Sequence, residues 1–492
     1  QVETVAQIEP LPDIDFNIRS GNTLVGYATV EQARKAFVVD NKGQGMIMFG
    51  DRSDAFQRFE ESVELVDRAF QQFRAQQTTY GGIVTHEDKL ELRKRLSKLN
   101  AELDRYLAGE YGVKAEKQKE FEIWKASHQP FHWFVEFYGI MHSGGFDVII
   151  GNPPYLELRQ VNYIARSFLT FDSGAIHAMC IEQSLSLLSA NGAISMIVPL
   201  ALVSTQRMRI VQQLIEKQSS SWYTNFAWRP GKLFDAVNRA LTIFIASRVS
   251  DNSHRIFSTN YQKWNSDTRE NLITTVTYCE VNRVRSSFWV PKLGDPLERI
   301  ILSKLLATKT LLSSSIGKSK NLIYYRTTGG LYWKVFTNFA PAFKCNGKTG
   351  HSSRETTFTL NKIANVKSTI ALLSSNLFWW WYTVTSNLRD LNPSDIQGFP
   401  VSDTLLTDQK LSALGDKYIE DLKRNSFMLI RQQKQTGKTE TQCFRIQKSK
   451  PIIDEIDRVL AQHYGFTDEE LDFIINYDIK YRMGGADSDE ES

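Results

Sequence analysis

Residues 52–107 carry the hydrophobic pattern of two amphipathic helices. Apolar side chains recur at alternating spacings of three and four residues on both sides of Gly81 and Gly82. Such spacings place side chains on one helix face, and a glycine pair interrupts a helix. We therefore predict an antiparallel helical hairpin whose stripes form core. The apolar positions are Phe56, Phe59, Val63, Val66, Phe70, Phe73, Leu92, Leu96, Leu99 and Leu103.

From residue 146 onwards, short apolar runs alternate with stretches whose apolar residues have helical spacing. Residues 148–150 form a continuous β-branched run, which is typical of a buried parallel strand. Residues 175–190 and 202–217 have helical spacing, while 193–199 and 240–246 are predicted as further buried strands. Strands that alternate with helices form mostly parallel sheets, so the fold class predicted here is α/β with a doubly wound sheet.

The alternation stops near residue 250, where Ser, Thr and Lys become frequent, and this change predicts a domain boundary. The aromatic run at 378–382 cannot all face solvent and is predicted to be core. Residues 417–450 are strongly basic and predicted to be helical. Residues 451–482 should form one or two small helices, and the tail after Gly484 should be disordered.

Composition narrows the class of protein. The 492 residues carry a net charge of +4, in which an acidic tail at 487–491 offsets a more basic body. Four widely spaced cysteines with no CxxC pair indicate neither a zinc site nor a disulfide framework. With no signal peptide and no membrane-spanning run, we expect a cytoplasmic protein that needs no membrane.

One histidine pair has a spacing that metal sites use. His128 and His132 lie four residues apart, but Pro130 interrupts any helix between them and no third ligand is near. We predict packing roles for both histidines and no metal site.

A cluster of candidate functional residues directly follows the first predicted strand, in the sequence FDVIIGNPPY. Gly151 lets the chain turn, so that Asn152, Pro153, Pro154 and Tyr155 lie at the carboxyl end of a strand, where open α/β sheets bind ligands. The Asn152 side-chain oxygen and the Pro153 carbonyl can each accept one hydrogen of an exocyclic amine. Proline holds these carbonyls rigidly, and the Tyr155 ring can stack on a base. The alternative is a stiff turn after a core strand.

This motif resembles that of the amino-class methyltransferases, which move a methyl group from S-adenosylmethionine to nitrogen. Four further stretches resemble the large N6-adenine DNA methyltransferases of type IIG and related restriction-modification systems. They are WKASHQPFHWFVEFYGIM at 124–141, RPGKLFDAVNRALTIFIAS at 229–247, SSNLFWWWYTVTSNLRDLNPSDIQGFP at 374–400 and DEELDFIINYDIKYRMG at 468–484. The resemblance implies a Rossmann-like methyltransferase sheet and adenine N6 methylation in a specific duplex sequence after base flipping.

The resemblance also implies cofactor and base contacts. Residues 13–30 alternate like a strand and turn at Gly21 and Asn22, which would contact the cofactor. The alternative is a plain Gly-Asn turn without a ligand. The family's glycine-rich loop precedes this point, and Gly43-Gln44-Gly45 comes too late to replace it. We therefore expect the chain to be the C-terminal portion of a longer enzyme, lacking the first strands. The aromatic residue that stacks on the flipped adenine would be Phe244, with Phe234 as the other candidate, and a core position is the alternative for both.

A target-recognition domain is predicted over the Ser/Thr/Lys-rich region, where basic and aromatic residues interleave as they do for phosphate contacts and base stacking. Its predicted DNA contacts are Lys318, Lys320, Arg326, Lys334 and Arg389. Any one of these side chains could equally be a solvated charge over an aromatic core.

The predicted domains are a partial methyltransferase core at 1–50, a helical-hairpin insertion at 51–123, the catalytic core at 124–250, a target-recognition α+β domain at 251–410, a basic helical region at 411–484 and a disordered acidic tail at 485–492.

Two other functions fit parts of the sequence. Protein-glutamine methyltransferases share the NPPY signature, but they are compact and leave the region after residue 250 unexplained. A DNA-binding specificity fragment without its cofactor loop is the second alternative. The sequence has no PD-(D/E)xK-like nuclease constellation, so cleavage would reside in an upstream nuclease or methyltransferase portion or in a separate restriction subunit. Double-stranded DNA is the expected partner.

Overall fold

The computed structural model describes residues 18–38, 51–78, 86–163, 168–249, 254–283, 287–328, 332–361, 364–433 and 437–483. They belong to two compact units. Unit 1 lies within Gln1–Val198, Arg207–Ser221 and Ile243–Arg255, and unit 2 within Pro199–Gln206, Trp222–Thr242 and Ile256–Ser492.

The helices are α1 Val30–Val38, α2 Asp51–Thr78, α3 His86–Glu110, α4 Gln118–His128, α5 Trp133–Glu136, α6 Tyr138–His142, α7 Ile176–Leu187, α8 Ala201–Ser204, α9 Arg209–Glu216, α10 Pro296–Ala307, α11 Val366–Ser374, α12 Asn376–Thr385, α13 Pro393–Gln397, α14 Asp403–Leu406, α15 Gln409–Arg424, α16 Lys450–Tyr464, α17 Asp468–Asn476 and α18 Ile479–Met483. None of the described helices is long and apolar enough to cross a bilayer.

The strands are β1 Phe146–Gly151, β2 Leu188–Pro199, β3 Ser219–Phe226, β4 Leu241–Arg248, β5 Ile256–Gln262, β6 Cys279–Glu280, β7 Ile316–Arg326, β8 Phe336–Thr337, β9 Phe343–Cys345, β10 Lys348–Thr349, β11 Glu355–Leu360, β12 Ser426–Gln433 and β13 Gly437–Phe444. They form sheets with the orders β1-β2-β4-β3-β5-β6, β10-β9-β13-β12 and β11-β7-β8.

The largest sheet confirms a mixed α/β fold with a central, mostly parallel sheet, and it corrects the predicted burial of β1. This strand pairs in parallel with β2, from Phe146 opposite Leu188 to Gly151 opposite Met196. Because β1 is the edge strand, Val148 and Ile150 remain 62% and 81% exposed.

The elements predicted at 202–217 and at 18–29 need correction, and one strand was missed. The helix predicted at 202–217 is broken into α8, a 3-10 turn at Gln206–Met208 and α9. Strand β3 was not predicted at all, since its SSSWYTNF sequence has little apolar patterning. Residues 18–29, predicted as strand and turn, are irregular apart from a single bridge at Asn22.

The helical part of unit 1 is built by α2 and α3. Phe59 and Val66 from α2 pack with Leu99 and Leu103 from α3 in one buried cluster, as their spacing predicted. The cluster continues into α4, where Trp124 is 4% exposed. This packing explains why the apolar stripes exist, and α2 and α3 form core with the segment that leads towards β1.

His128 and His132 both make packing or hydrogen-bond contacts within unit 1. His132 is fully buried; its Nδ1 accepts from the Tyr27 N–H at 3.2 Å, so Nε2 carries the proton that it donates to Asp104 at 3.2 Å. Lys125 Nζ binds the same buried carboxylate at 2.8 Å. The His128 ring stacks on Trp124 at 5.5 Å. Both histidines therefore hold neighbouring segments together.

The aromatic run in α12 is core, as predicted, and its indole N–H groups all have acceptors. Trp379 donates to Asp478 at 3.1 Å, Trp380 to Glu298 at 3.0 Å and Trp381 to the Asp395 carbonyl at 3.3 Å. A buried indole N–H without an acceptor costs free energy, so these contacts stabilise the core. They link α12 to α10, to α13 and to the segment between α17 and α18.

Close helix packing in unit 2 depends on a glycine. Helices α11 and α15 approach so closely that a Cβ on Gly415 would lie 2.2 Å from the Lys367 carbonyl oxygen. No larger residue fits there without moving a backbone.

The basic region at 417–450 is only partly helical, contrary to the prediction. Helix α15 ends at Arg424, and β12 and β13 then form an antiparallel ladder from Ser426 opposite Phe444 to Gln433 opposite Gly437. One or two small helices were predicted for 451–482, whereas three helices, α16, α17 and α18, are present. Residues 485–492, predicted to be disordered, and Gly43-Gln44-Gly45 lie outside the described residues.

Candidate functional site

The NPPY segment leaves the sheet at the carboxyl end of β1. Asn152 is exposed, Pro153 is buried and Pro154 is exposed. Among the described residues, none donates a hydrogen bond to the Asn152 side chain or to the Pro153 carbonyl. Two acceptors thus lie next to each other at the end of a strand, one of them on a side chain that is open to solvent.

Tyr155 is tied to the neighbouring strand. Its hydroxyl donates to the carbonyl of Ile197 at 3.1 Å, one residue beyond Met196, where the pairing of β1 with β2 ends. This contact fixes the position of the half-buried ring relative to the sheet.

The residues after Tyr155 are held against the start of α7. The Leu158 N–H donates to Gly174 at 2.7 Å, and the Ile176 N–H donates to Leu156 at 3.0 Å. Gly174 has φ +66°, a left-handed conformation that glycine adopts without strain. These two bonds attach the start of α7 to the residues that follow the motif.

An ion pair that the sequence did not predict also joins the residues after the motif to the segment before α7. Arg207 binds both carboxylate oxygens of Glu157, at 2.7 and 2.8 Å, and also donates to the Ser173 carbonyl at 3.2 Å. The hydrogen bonds from Arg207 lower the pKa of Glu157 against the opposing effect of burial. No sequence signal connects two residues 50 positions apart, so only the fold reveals this contact.

The predicted cofactor residues form a tight turn in unit 1. The Asn22 N–H donates to Gln129 at 2.8 Å, and its side-chain oxygen accepts from the Leu24 N–H at 3.1 Å. A Cβ at Gly21 would lie 2.4 Å from the Phe131 ring, which explains the glycine by packing alone. The amide nitrogen of Asn22 has no partner among the described residues.

Aromatic side chains connect this turn to β1. Trp133 donates its indole N–H to Thr23 at 3.1 Å and packs on Phe137 at 5.4 Å. Both rings contact Phe146, the first residue of β1, at 5.8 and 5.4 Å. The turn and the strand that leads into the NPPY segment therefore belong to one packed structure.

Phe244 does not lie where a base could stack on it. Its side chain is fully buried in β4, whereas Phe234, the other candidate, is 37% exposed in the loop after β3. The assignment of base stacking to Phe244 is therefore corrected.

The predicted DNA contacts lie in unit 2, and three of them are on β7. Lys318 and Lys320 are exposed in a stretch where β7 bulges away from β11, whose pairing jumps from Leu322 to Ile316. Arg326 ends the strand and is half-buried. The side chain of Arg389 is 81% exposed in the loop after α12.

Lys334 has a different environment from the other basic candidates. Its ammonium lies 5.0 Å from the centre of the Tyr382 ring. Burial lowers its pKa to about 8, while Asp395 and Asp390 oppose this shift. This contact with a core tyrosine distinguishes Lys334 from the exposed Lys318 and Lys320, and its DNA contact stays a prediction.

No metal site is found in the described part of the chain, where groups of three or more His, Cys, Asp and Glu side chains with suitable positions are absent.

Comparison with known proteins identifies the region that contains the NPPY segment. Residues 63–234 match the family model of the Eco57I restriction-modification methylase, which confirms the resemblance seen in the sequence. A Methanocaldococcus jannaschii protein described as a type II restriction enzyme and methyltransferase is 30% identical over 182 residues, 30% of this chain. The chain covers only 15% of that relative's length.

Solved structures with partial similarity are also restriction-modification enzymes. One is the type IIL enzyme MmeI in complex with DNA, with a TM-score of 0.36, 9% identity and coverage of 68% of this chain and 57% of that chain. Another is a nuclease-deletion mutant of the type ISP enzyme LlaGI with a DNA substrate mimic, with a TM-score of 0.35, 9% identity and coverage of 69% and 40%. At these scores no structural inference is drawn from them.

Proposed function

Because residues 63–234 match the Eco57I restriction-modification methylase family, we propose that the chain acts as a DNA methyltransferase of a restriction-modification system. The acceptor is adenine N6 in a specific duplex sequence, and the methyl donor is S-adenosylmethionine. The observation that carries this proposal is the exposed Asn152 side chain beside the Pro153 carbonyl at the end of a parallel strand, with Tyr155 tied to the next strand.

Asn152 and Pro153 account for the choice of acceptor atom. An exocyclic amine carries two hydrogens, and the two oxygens can each accept one. Holding both hydrogens favours a pyramidal nitrogen whose lone pair is no longer spread into the ring. Neither oxygen is engaged by a donor among the described residues, so no existing hydrogen bond must break when the amine binds.

Tyr155 accounts for the orientation of the base. The target base leaves the duplex before it can react, at a cost of a few kcal/mol. Stacking on an aromatic ring recovers about 1–3 kcal/mol per base. A ring whose hydroxyl is already bonded to Ile197 loses little freedom when the base arrives, which keeps that gain available for positioning.

The turn at Gly21 and Asn22 fits a contact to the cofactor. The side-chain oxygen of Asn22 is used by the Leu24 N–H, and its amide nitrogen is left to donate to a ring nitrogen of adenine. S-adenosylmethionine, when bound, supplies an activated methyl group on a sulfonium sulfur. Asn22 would hold its adenine, while Asn152, Pro153 and Tyr155 act on the acceptor.

Unit 2 would supply the target-recognition surface. Lys318, Lys320 and Arg389 are exposed, as phosphate contacts require, and the buried aromatic core behind them gives a rigid support.

The test is methyl transfer by the full 492-residue chain. Binding of S-adenosylmethionine is measured by calorimetry with and without DNA, and labelled methyl incorporation is followed on a pool of duplexes. Asn152→Ala is expected to bind the cofactor as the unaltered chain does, yet to lose transfer.

Two results would contradict the proposal. Transfer to a glutamine-containing peptide but not to duplex DNA would indicate a protein-glutamine methyltransferase. Salt-sensitive DNA binding without cofactor binding would indicate a DNA-binding specificity module.

A further inference from the structure

The four-stranded sheet of unit 2 carries a row of side chains that crosses all its strands. Ile430 of β12 lies opposite Glu440 of β13, and Glu440 lies opposite Lys344 of β9. Lys344 in turn lies opposite Thr349 of β10. Residues directly opposite each other in an antiparallel sheet have their side chains on the same face. We call the face that carries this row the outer face.

Exposure along β12 follows the alternation of a strand. Met428, Ile430 and Gln432 are exposed, whereas Phe427 and Leu429 between them are half-buried. Because successive side chains point to opposite faces, the three exposed residues all belong to the outer face. Met428 and Ile430 are 44% and 58% exposed, so the outer face presents two adjacent apolar side chains to solvent.

The position of these apolar side chains is typical of an interaction surface. Strand β12 is the last strand of its sheet. Edge strands are usually protected from association by charged side chains, and β12 instead exposes Met428 and Ile430. Polar residues surround the pair, since Gln432 follows it on β12 and Gln442 lies opposite Met428 on β13. Exposed apolar side chains with a polar rim mark sites where another molecule binds.

The charge around the outer face selects a polyanion as that molecule. The described residues 337–350, 423–433 and 437–445 contain seven Lys and Arg and a single acid, Glu440. Lys438 binds the Glu440 carboxylate at 3.3 Å, which compensates its negative charge. Lys344 is exposed in the central row. A surface with this excess of positive charge attracts nucleic acid.

Aromatic contacts fix β12 and β13 at one end of their ladder. The Arg445 guanidinium lies 4.3 Å from the centre of the Phe427 ring. The Phe339 ring packs edge-on against Phe444 with 6.2 Å between the ring centres. Strands that are held in this way present their exposed side chains at defined positions, which recognition of bases requires.

Duplex DNA is the polyanion whose chemistry also matches the uncharged residues. The major groove is wide enough for a two-stranded β-ribbon, and it displays the apolar C5-methyl group of thymine. Met428 and Ile430 suit that methyl group, and the Gln432 amide suits the adenine edge, which offers one acceptor and one donor. A partner held by phosphate contacts alone would leave the two apolar side chains without a role.

We propose that the outer face enters the major groove of the target duplex and contributes to the choice of sequence. Met428 and Ile430 contact thymine methyl groups, and Gln432 bonds to a base edge. Lys344 binds a backbone phosphate. This inference rests on the proposed function for its DNA partner, and it places base recognition partly in β12, beyond the region 251–410 that was predicted to recognise the target.

The experiment first identifies the sequence that the full chain methylates, by sequencing the methylated members of a randomised duplex pool. Binding is then measured on that duplex and on duplexes in which deoxyuridine replaces one thymine at a time, which removes only the C5-methyl group. Loss of one buried methyl contact corresponds to about fourfold in affinity. At one or more thymines, we expect this loss in the unaltered chain and no loss in Ile430→Ala or in Met428→Ala.

Three further variants separate the roles of the outer face. Gln432→Ala should relax the methylated sequence at one position. Lys344→Ala should weaken binding to all duplexes alike and reduce the slope of log affinity against log salt by about 1, since it removes one phosphate contact. Ile300→Ala is the matched control, because Ile300 is an apolar residue of α10 that is 45% exposed; it should respond to deoxyuridine as the unaltered chain does. Thermal denaturation verifies that every variant is folded.

The outcomes separate this inference from the proposed function. If Ile430→Ala and Met428→Ala keep the methylated sequence and respond to deoxyuridine as the unaltered chain does, base recognition by the outer face is overturned, while their methyl transfer leaves the proposed function intact. If sedimentation shows self-association that Ile430→Ala abolishes with DNA binding unchanged, β12 binds a second copy of the chain and the inference is also overturned. An unaltered chain that neither binds nor methylates DNA would contradict the proposed function itself.

Discussion

Replacing Tyr155 separates the two tasks assigned to it, positioning through the hydroxyl and stacking through the ring. Tyr155→Phe removes the hydrogen bond to Ile197 at 3.1 Å and keeps the ring. A neutral hydrogen bond contributes about 0.5–1.5 kcal/mol, so kcat/KM should fall about two- to tenfold. Tyr155→Ala also removes stacking of about 1–3 kcal/mol, so we expect a further loss of about five- to 150-fold.

The assay is incorporation of labelled methyl groups into duplex DNA under kcat/KM conditions. Tyr138→Phe is a matched control, since it deletes a hydroxyl that donates to Asp67, also at 3.1 Å, in the helical cluster of unit 1. It should lower the unfolding midpoint and leave kcat/KM unchanged. Equal losses in Tyr155→Phe and Tyr155→Ala would refute the stacking role, and unaltered transfer by Tyr155→Ala would remove Tyr155 from the site.

Three further predictions concern stability and base contact. Asp104→Asn should lower the unfolding free energy of unit 1 by about 1.5–3 kcal/mol in chemical denaturation, because the buried carboxylate binds both Lys125 and His132; an unchanged midpoint would contradict this. Lys292 is fully buried, which lowers its pKa from 10.5 to about 7, so the unfolded chain holds more protons between those values and stability should rise with pH, by up to about 1.4 kcal/mol per pH unit. Lys292→Met should lack this contribution, and an identical pH profile in both proteins would disprove it. Phe234→Ala should reduce methyl transfer without lowering the melting temperature, since the ring is 37% exposed; a variant as active as the unaltered chain would exclude it as the stacking residue.

Features that repeat over a few residues were predictable from the sequence. The three- and four-residue spacing in α2 and α3 has to be buried, because an apolar stripe on a helix is stable only against another apolar surface. The aromatic run of α12 is core for the same reason. The β-branched run of β1 and the glycine after it likewise placed NPPY at the end of a strand, as the structure has it.

Predictions from the sequence were wrong where one local pattern is compatible with two structures, such as a buried or an exposed strand, or a helix or a strand. Val148 and Ile150 have the composition of a central strand, yet they are exposed because β1 lies at the sheet edge. Residues 426–444 are rich in Lys, Arg and Gln, which suit a helix, but 426–433 and 437–444 form the antiparallel strands β12 and β13. Phe244 and Phe234 are both aromatic residues near β4, and only their exposure distinguishes them.

Tertiary structure alone decided the contacts that join distant segments. Arg207 meets Glu157, and His132 meets Asp104, across separations that no periodicity spans. Periodicity reports which face of one segment is apolar, whereas an ion pair depends on which two segments are packed together. The sequence by itself thus determined where the proposed acceptor-orienting residues lie along the chain, and the packing of the fold decided what holds them in position.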